Sequence, residues 1–277
     1  MEAVSGARLP PLFLEIWREM KKTQFSDKKG QPTAPYSKIA AVYDQMMLHV
    51  NYPRWAEFID AVLRREKVGE FPYLLDIGCG TGRFLTEMHK LGYHGDGCDP
   101  SREMLNQAKN RLPGADFFRS KLPDLLEVPA DHYPVMTCLY DSINYLMDEK
   151  TLAQALRTVY NKLQTPGVFI FDVVSRLNCL HYFQNYSDSE VLDEKTAYYR
   201  ESYFDDEESI QYNQVRIHTA EGIFEESHRQ RIYSFKTIEQ IIDDETDFLM
   251  AHCFDEFSFH KAGRRTTRAH FVLRKLD

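Results

Sequence analysis

Long apolar runs are missing from this sequence: none of its 277 residues belongs to a stretch approaching the ~18 consecutive apolar residues that a membrane-crossing helix needs. The opening Met1-Glu2-Ala3-Val4-Ser5-Gly6 also lacks the basic start and apolar stretch of a secretory signal. Positive charge is in short supply. With 34 Lys and Arg against 42 Asp and Glu the formal charge is −8, so nothing draws the chain toward phosphate backbones or anionic lipid. Neither nucleic acid nor membrane is an expected partner. Cysteine is sparse: Cys79, Cys98, Cys138, Cys179 and Cys253 are odd in number and widely spaced, with no C-x-x-C pair to suggest zinc or a redox centre. Several lie in apolar runs and read as small buried hydrophobes. The expected setting is the cytoplasm, with its thiols reduced.

Glycine numbers only 13, yet three fall at alternate positions in one place, Leu74-Leu75-Asp76-Ile77-Gly78-Cys79-Gly80-Thr81-Gly82-Arg83-Phe84. An apolar run ends in Gly78, Gly80 and Gly82 and opens into a helical pattern of Phe84, Leu85, Met88 and Leu91, which predicts a strand, a tight turn and a helix start. Glycines there allow positive φ and let the backbone approach a ligand that a Cβ would push away. The helix behind them presents unpaired N–H groups and its positive dipole end, so the expected guest carries an anionic group. The spacing is G-x-G-x-G with Asp76 two residues ahead, not the G-x-G-x-x-G of nicotinamide and flavin folds.

The nine residues from Leu74 to Gly82 resemble the first motif of class I S-adenosylmethionine-dependent methyltransferases. In those enzymes this loop, here Asp76, Gly78, Cys79, Gly80 and Gly82, cradles the methionine end of the cofactor, and S-adenosylhomocysteine is the product. An acidic residue about 20 positions past the glycines, at the end of the second strand, is placed to bind ribose hydroxyls. Asp99, 17 residues past Gly82 and followed by Pro100-Ser101 at a helix start, fits better than Asp96 inside the strand. The resemblance then sets Pro100 beside the ribose and Met104 near adenine. At the exit of the third strand many relatives carry an acid for the adenine amino group. Lys121 stands at that place, so the backbone of Ser120, Lys121 and Leu122 is the expected contact. The segment from Tyr36 through Tyr43 to Tyr52 and Trp55 is similar to the opening of amino-sugar and glycine N-methyltransferases. It places Tyr36, Tyr43 and Trp55 near the sulfonium, where an aromatic face attracts a cation by ~0.5–2 kcal/mol; for Trp55 a plain core role weighs equally.

After a fourth strand at Val135-Met136-Thr137-Cys138-Leu139, Tyr140 and Asp141 should face the reaction, since ligands sit at the carboxyl ends of parallel strands. Strands alternating with helices up to Asp172 predict a doubly wound, mostly parallel sheet of the Rossmann-like methyltransferase type, seven-stranded by the resemblance. Residues 1–35 read as an extension with an amphipathic helix (Leu9, Leu12, Phe13, Ile16, Trp17, Met20) and a polar tether, and 36–175 as the cofactor-binding α/β domain, opening with two helices. Residues 176–235 carry three Tyr- and Ile-rich runs (196–204, 209–218, 223–235) that predict a small three-stranded antiparallel insertion over the acceptor site. The nine acids between 187 and 210 read as a solvated face. Residues 236–277 complete the sheet with a helix and a strand pair.

The reading that follows is a methyltransferase acting on a small-molecule acceptor, nitrogen favoured over oxygen by the resemblance alone. A general base is not identified: His181, His218 and His228 are available in the insertion and none is singled out by spacing. The lack of a proline-proline-aromatic motif after the fourth strand argues against base-flipping amino methyltransferases. Two rivals stay open, a methyltransferase acting on protein or RNA and a non-enzymatic protein that binds the cofactor or its demethylated product. Monomer and homodimer are both compatible with the sequence.

Overall fold

A computed structural model describes residues 30–276. The expected amphipathic helix over Leu9 to Met20, and the tether as far as residue 29, lie outside the described residues. Hydrophobic runs buried on both faces form the central sheet. Its order is β11-β12-β6-β5-β2-β3-β4, from β2 (Leu74–Ile77), β3 (Gly95–Cys98), β4 (Phe117–Phe118), β5 (Tyr133–Cys138), β6 (Leu163–Val174), β11 (Leu249–Asp255) and β12 (Arg268–Lys275). The strands β2 to β6 pair in parallel, and β12 and β11 close the edge antiparallel. Order changes direction at β2, beside β5, which is where a doubly wound sheet opens a crevice at its carboxyl ends.

Helices cover both faces. One side packs α2 (Tyr52–Glu66) and α3 (Arg83–Lys90) through Trp55, Phe58, Ile59, Phe84 and Met88. The other packs α5 (Glu149–Lys162) and α7 (Phe235–Glu245) against Phe169, Phe171 and Phe271. Local chemistry sets the helix starts. Asn51 Oδ1 accepts from the Arg54 amide at 3.0 Å with Tyr52-Pro53 as the first turn, and Ser101 caps α4 (Arg102–Arg111) through the Met104 amide at 3.1 Å.

A second sheet follows β6 and α6 (Arg176–Tyr182). It has five strands, not three: β1 (Gln31–Pro32), β10 (Gly222–Arg231), β9 (Ile210–Thr219), β8 (Ala197–Asp205) and β7 (Tyr186–Val191). Two were hidden in the sequence for a physical reason. The strand β7 is made largely of Ser, Asp and Glu, a composition poor in strand formers, yet its Asp188 turns inward to take two 2.8 Å bonds from Arg200. The acidic stretch is therefore only partly a solvated face. The strand β1 lies in the expected extension and pairs in parallel with Phe224 and Glu225. The helix expected from Tyr36 onward is also broken up, into a 3₁₀ turn (Ile39–Ala41) and a single-turn α1 (Tyr43–Met46). Glu226, fully buried, accepts from the amides of Tyr36, Lys38 and Ile39, which holds this stretch in a wrap instead of a continuous helix.

Candidate functional site

The carboxyl edge of β2 is shaped by backbone conformation. Gly78, Gly80 and Gly82 have φ of 75°, 54° and 77°, a region that costs other residues roughly 1–2 kcal/mol. A Cβ on Gly78 would come within 2.9 Å of Ser142 Oγ, so the loop's close approach to the end of β5 depends on glycine. No side chain caps the N-terminus of α3. Asp99, at the end of β3, accepts from the amides of Gly80 at 3.1 Å and Ser101 at 2.8 Å, joining loop and helix start. Burial pushes its carboxyl up to about 6 despite those amides. Asp76 lies beneath, buried and bonded to Thr137 Oγ1 at 2.7 Å; burial lifts it to about 7, with Thr137 pulling it down and Asp99 adding to the rise. Asp96 is engaged by the hydroxyls of Tyr73 and Tyr133 and by the Asp116 amide, so it serves the strand interior.

At the end of β5 the chain turns through two consecutive left-handed residues, Tyr140 at φ 59° and Asp141 at φ 51°. Such backbone persists only where its surroundings hold it. Here the Asp141 amide donates to Asp172 Oδ2 at 3.1 Å, and its carboxylate accepts from Arg268 at 2.8 Å and Gln230 at 2.7 Å. Arg268 also pairs with Asp172 and lies over the rings of Trp55 and Tyr140. Burial raises both carboxyls, and the shared guanidinium opposes that rise. None of Arg268, Asp172 or Gln230 was expected from sequence, because their roles depend on strands meeting far apart in the chain. Asp148, not Asp141, caps the following helix α5.

Above this edge lies the wrapped N-terminal segment. Asp44 accepts from Thr81 Oγ1 at 2.6 Å and pairs with Arg111, tying α1 to the glycine loop. The Tyr36 and Tyr43 rings meet edge to face at 5.8 Å, and the Tyr43 ring stands 3.9 Å from where a Gly80 Cβ would be. Tyr36 reaches three ways: its carbonyl accepts from Ser101 Oγ at 2.7 Å, its amide donates to Glu226 at 2.6 Å, and its hydroxyl sits 2.6 Å from that of Tyr145. His228, from β10, places Nδ1 3.0 Å from the Tyr145 hydroxyl. Tyr145 carried no sequence signal beyond its place in the loop after β5.

The remaining expected residues divide. Cys79 is buried beneath the loop, Met104 is buried against Ile39, Val42 and Tyr198, and Ser120 is buried just beyond β4. Pro100 is exposed, with its carbonyl accepting from Arg119 at 3.3 Å. The Lys121 side chain faces solvent and its carbonyl is taken by the Leu125 amide at 2.9 Å, while Leu122 packs on the core. Trp55 stands apart from the Tyr36–Tyr43 pair, packed among Tyr140, Phe257 and His270. His270 was not expected. It is fully buried, and burial, then Arg268, drops it to about 3, so it stays neutral.

These residues suit S-adenosylmethionine, the cofactor that the resemblance implies. The start of α3, which no side chain caps, lies behind three positive-φ glycines and has the polarity to receive a carboxylate, and each Asp99 oxygen keeps a lone pair for a diol. Tyr36 and Tyr43 offer the aromatic wall that a sulfonium favours. Among the described residues no group of three or more His, Cys, Asp or Glu side chains is arranged to hold a metal, and no helix is long and apolar enough to cross a membrane.

Comparison with known proteins agrees with this geometry. A family model described as a methyltransferase domain matches residues 74–167, from β2 into β6. The chain is 26% identical over 214 residues to a putative methyltransferase, YqeM, of Bacillus subtilis (strain 168), covering 75% of this chain and 84% of that one. It is 29% identical over 134 residues to a dTDP-3-amino-3,4,6-trideoxy-alpha-D-glucopyranose N,N-dimethyltransferase of Streptomyces venezuelae, 48% of this chain and 56% of that enzyme. The crystal structure of an S-adenosylmethionine-dependent methyltransferase from Clostridium acetobutylicum ATCC 824 superposes with a TM-score of 0.72 at 25% identity, covering 87% of this chain and 98% of that one.

Proposed function

Because the chain is a class I S-adenosylmethionine-dependent methyltransferase, we propose that it methylates a small molecule, with an amine nitrogen as the accepting atom. The observation that carries this is the closed construction over the site. The wrapped segment and the second sheet are locked together by Glu226 and pack over Met104 and Tyr140, a covered arrangement that favours a small acceptor over a docked protein or RNA. The negative net charge agrees. Nitrogen is supported by the similarity to the Streptomyces venezuelae amino-sugar dimethyltransferase.

When bound, the cofactor supplies a methyl group already activated by its sulfonium. The protein's part is to hold the acceptor in line with it, an effect able to contribute about 7–11 kcal/mol in favourable cases. In this reading Gly78 to Gly82 receive the methionine end, Asp99 the ribose, Met104 and the Ser120–Leu122 backbone the adenine, and Tyr36, Tyr43, Tyr140 and Asp141 face the transferring group, with Asp76, Cys79 and Pro100 shaping the loop and Trp55 backing Tyr140. The test is a mass-spectrometric screen of a metabolite extract with protein and cofactor. New amines heavier by one methylene are expected; label transferred only to macromolecules overturns the proposal.

A further inference from the structure

Four side chains from three distant segments line up at the roof. The Tyr36 and Tyr145 hydroxyls are 2.6 Å apart, Tyr145 Oη is 3.0 Å from His228 Nδ1, and His228 Nε2 faces Glu226 Oε2 at 3.5 Å. His228 and Glu226 are both buried, and the Tyr36 ring packs edge-on against the imidazole at 4.8 Å. At 3.5 Å the Nε2–Glu226 contact is an ion-pair distance and not a hydrogen bond, but a proton on Nε2 faces the Glu226 carboxylate, which can only attract it; that tautomer leaves Nδ1 as the acceptor. Tyr145 then donates to Nδ1 and accepts from Tyr36. The far end is the Tyr36 oxygen; the Tyr36 ring meets that of Tyr43, which in turn stands over Gly80 of the glycine loop.

We propose that these residues form a proton wire in which His228 is the base that frees the acceptor amine, reached through the hydroxyls of Tyr36 and Tyr145 and balanced by Glu226. The inference rests on the amine reading above. An amine enters at neutral pH as an ammonium and has no lone pair to attack with. One N–H proton passes to the Tyr36 oxygen as Tyr36 hands its own to Tyr145 and Tyr145 hands its own to Nδ1. The freed nitrogen lone pair forms the C–N bond, the C–S bond breaks, and its electron pair stays on sulfur. The imidazolium loses its extra proton to solvent when product leaves.

The surroundings suit this direction of flow. Asp99 from the end of β3, Asp141 from the end of β5 and Glu226 beside His228 are the acids facing the wire, and Tyr43 is the remaining titratable neighbour. Burial raises the phenols of Tyr36 and Tyr145 above their ordinary range, so both stay as hydroxyls that relay a proton without keeping a charge. Burial pushes the Glu226 carboxyl up, but the imidazole and the three backbone amides together outweigh it and hold the group below the usual carboxylate range, as the counter-charge requires.

Two measurements test the wire. In the full-length protein, ¹⁵N spectra of the histidine ring are expected to show His228 with a bare Nδ1 and a protonated Nε2; a proton on Nδ1 reverses the chain and overturns the proposal. The second uses methyl-labelled S-adenosylmethionine with the dialysable fraction of a cell extract as acceptor source, and compares the unaltered protein with Tyr145→Phe and His228→Asn. Asn keeps an acceptor near the Nδ1 position and cannot store the proton. Both variants should keep the melting shift given by S-adenosylhomocysteine, which shows that they fold and bind. Their transfer rate at neutral pH should fall by about 10²- to 10⁴-fold and recover toward about pH 10, where amines need no base. Superposable pH profiles for all three proteins overturn the wire and leave the amine reading standing. No label in any dialysable amine from the unaltered protein overturns the amine reading and the wire with it.

Discussion

The floor and the roof of this site are built from different chemistry. The floor, from β2 to the start of α4, works through the backbone: three positive-φ glycines, an uncapped helix end and one carboxylate that ties them together. Its parts lie within about thirty residues of one another. The roof works through side chains whose partners are remote, with Tyr36 and Tyr145 separated by 109 positions and Tyr145 and His228 by 83. Contacts between near neighbours thus shape the floor, and contacts between distant segments shape the roof.

The largest expected effect breaks the support that both regions share. Arg268→Met leaves Asp141 and Asp172 buried without their counter-charge, and loss of one partner of such a group costs about 3–5 kcal/mol. Denaturant unfolding should show that loss, and the loss should shrink as pH falls and the two carboxyls take up protons. Glu226→Ala separates the two regions more cleanly. It removes the acceptor for three amides of the wrapped segment, and bonds of this kind to a charged group contribute about 1.5–3 kcal/mol each at most. A raised KM for the cofactor with faster proteolysis near Tyr36 is expected; unchanged values for both would mean that the roof does not depend on this clamp.

Asp99→Asn attacks the floor alone. On the proposed ribose contact, losing this charged acceptor should weaken S-adenosylhomocysteine by roughly 10- to 100-fold by calorimetry, with little change in stability. The pH dependence has a defined sign. In the free protein the Asp99 carboxyl titrates near 6, so ligand affinity should strengthen as pH rises through about 6, and the Asn variant should lose that slope. Stability runs the other way: a folded-state value above the unfolded one favours folding at low pH, and this contribution is lost as pH rises from about 4 through about 6. Asp76, raised to about 7, extends the same trend. The smallest effect is expected at Lys121→Ala. Its side chain is exposed, so stability should stay within about 0.5 kcal/mol and cofactor affinity within twofold. A larger loss of affinity would assign the Lys121 side chain itself to the adenine.

Legibility followed the same division. The strand, glycine turn and helix were readable because each depends on neighbours a few positions away, and the choice of Asp99 over Asp96 rested on one being at a strand end and the other inside. The strand β7 was not readable, since Tyr186, Asp188 and Glu190 fold as a strand only because Arg200 and Tyr198 stand opposite them. The expected N-terminal helix failed for a related reason. Its periodicity is helical, but a carboxylate 190 residues away captures the Tyr36 amide. Trp55 carried a dual reading that sequence left even, and only its packing on Tyr140, Phe257 and His270 shows what surrounds it.

The sequence by itself determined the doubly wound sheet and the place where its strands open, because period, spacing and glycine dihedrals are local properties; the methyl donor followed from the family resemblance of Leu74 to Gly82. Tertiary structure alone decided which side chains gather above the strand ends. Tyr145, His228, Glu226 and Arg268 have no pattern of their own, and they acquire a role only when β10 and β12 carry them to the end of β5, where burial makes each hydrogen bond and each charge count.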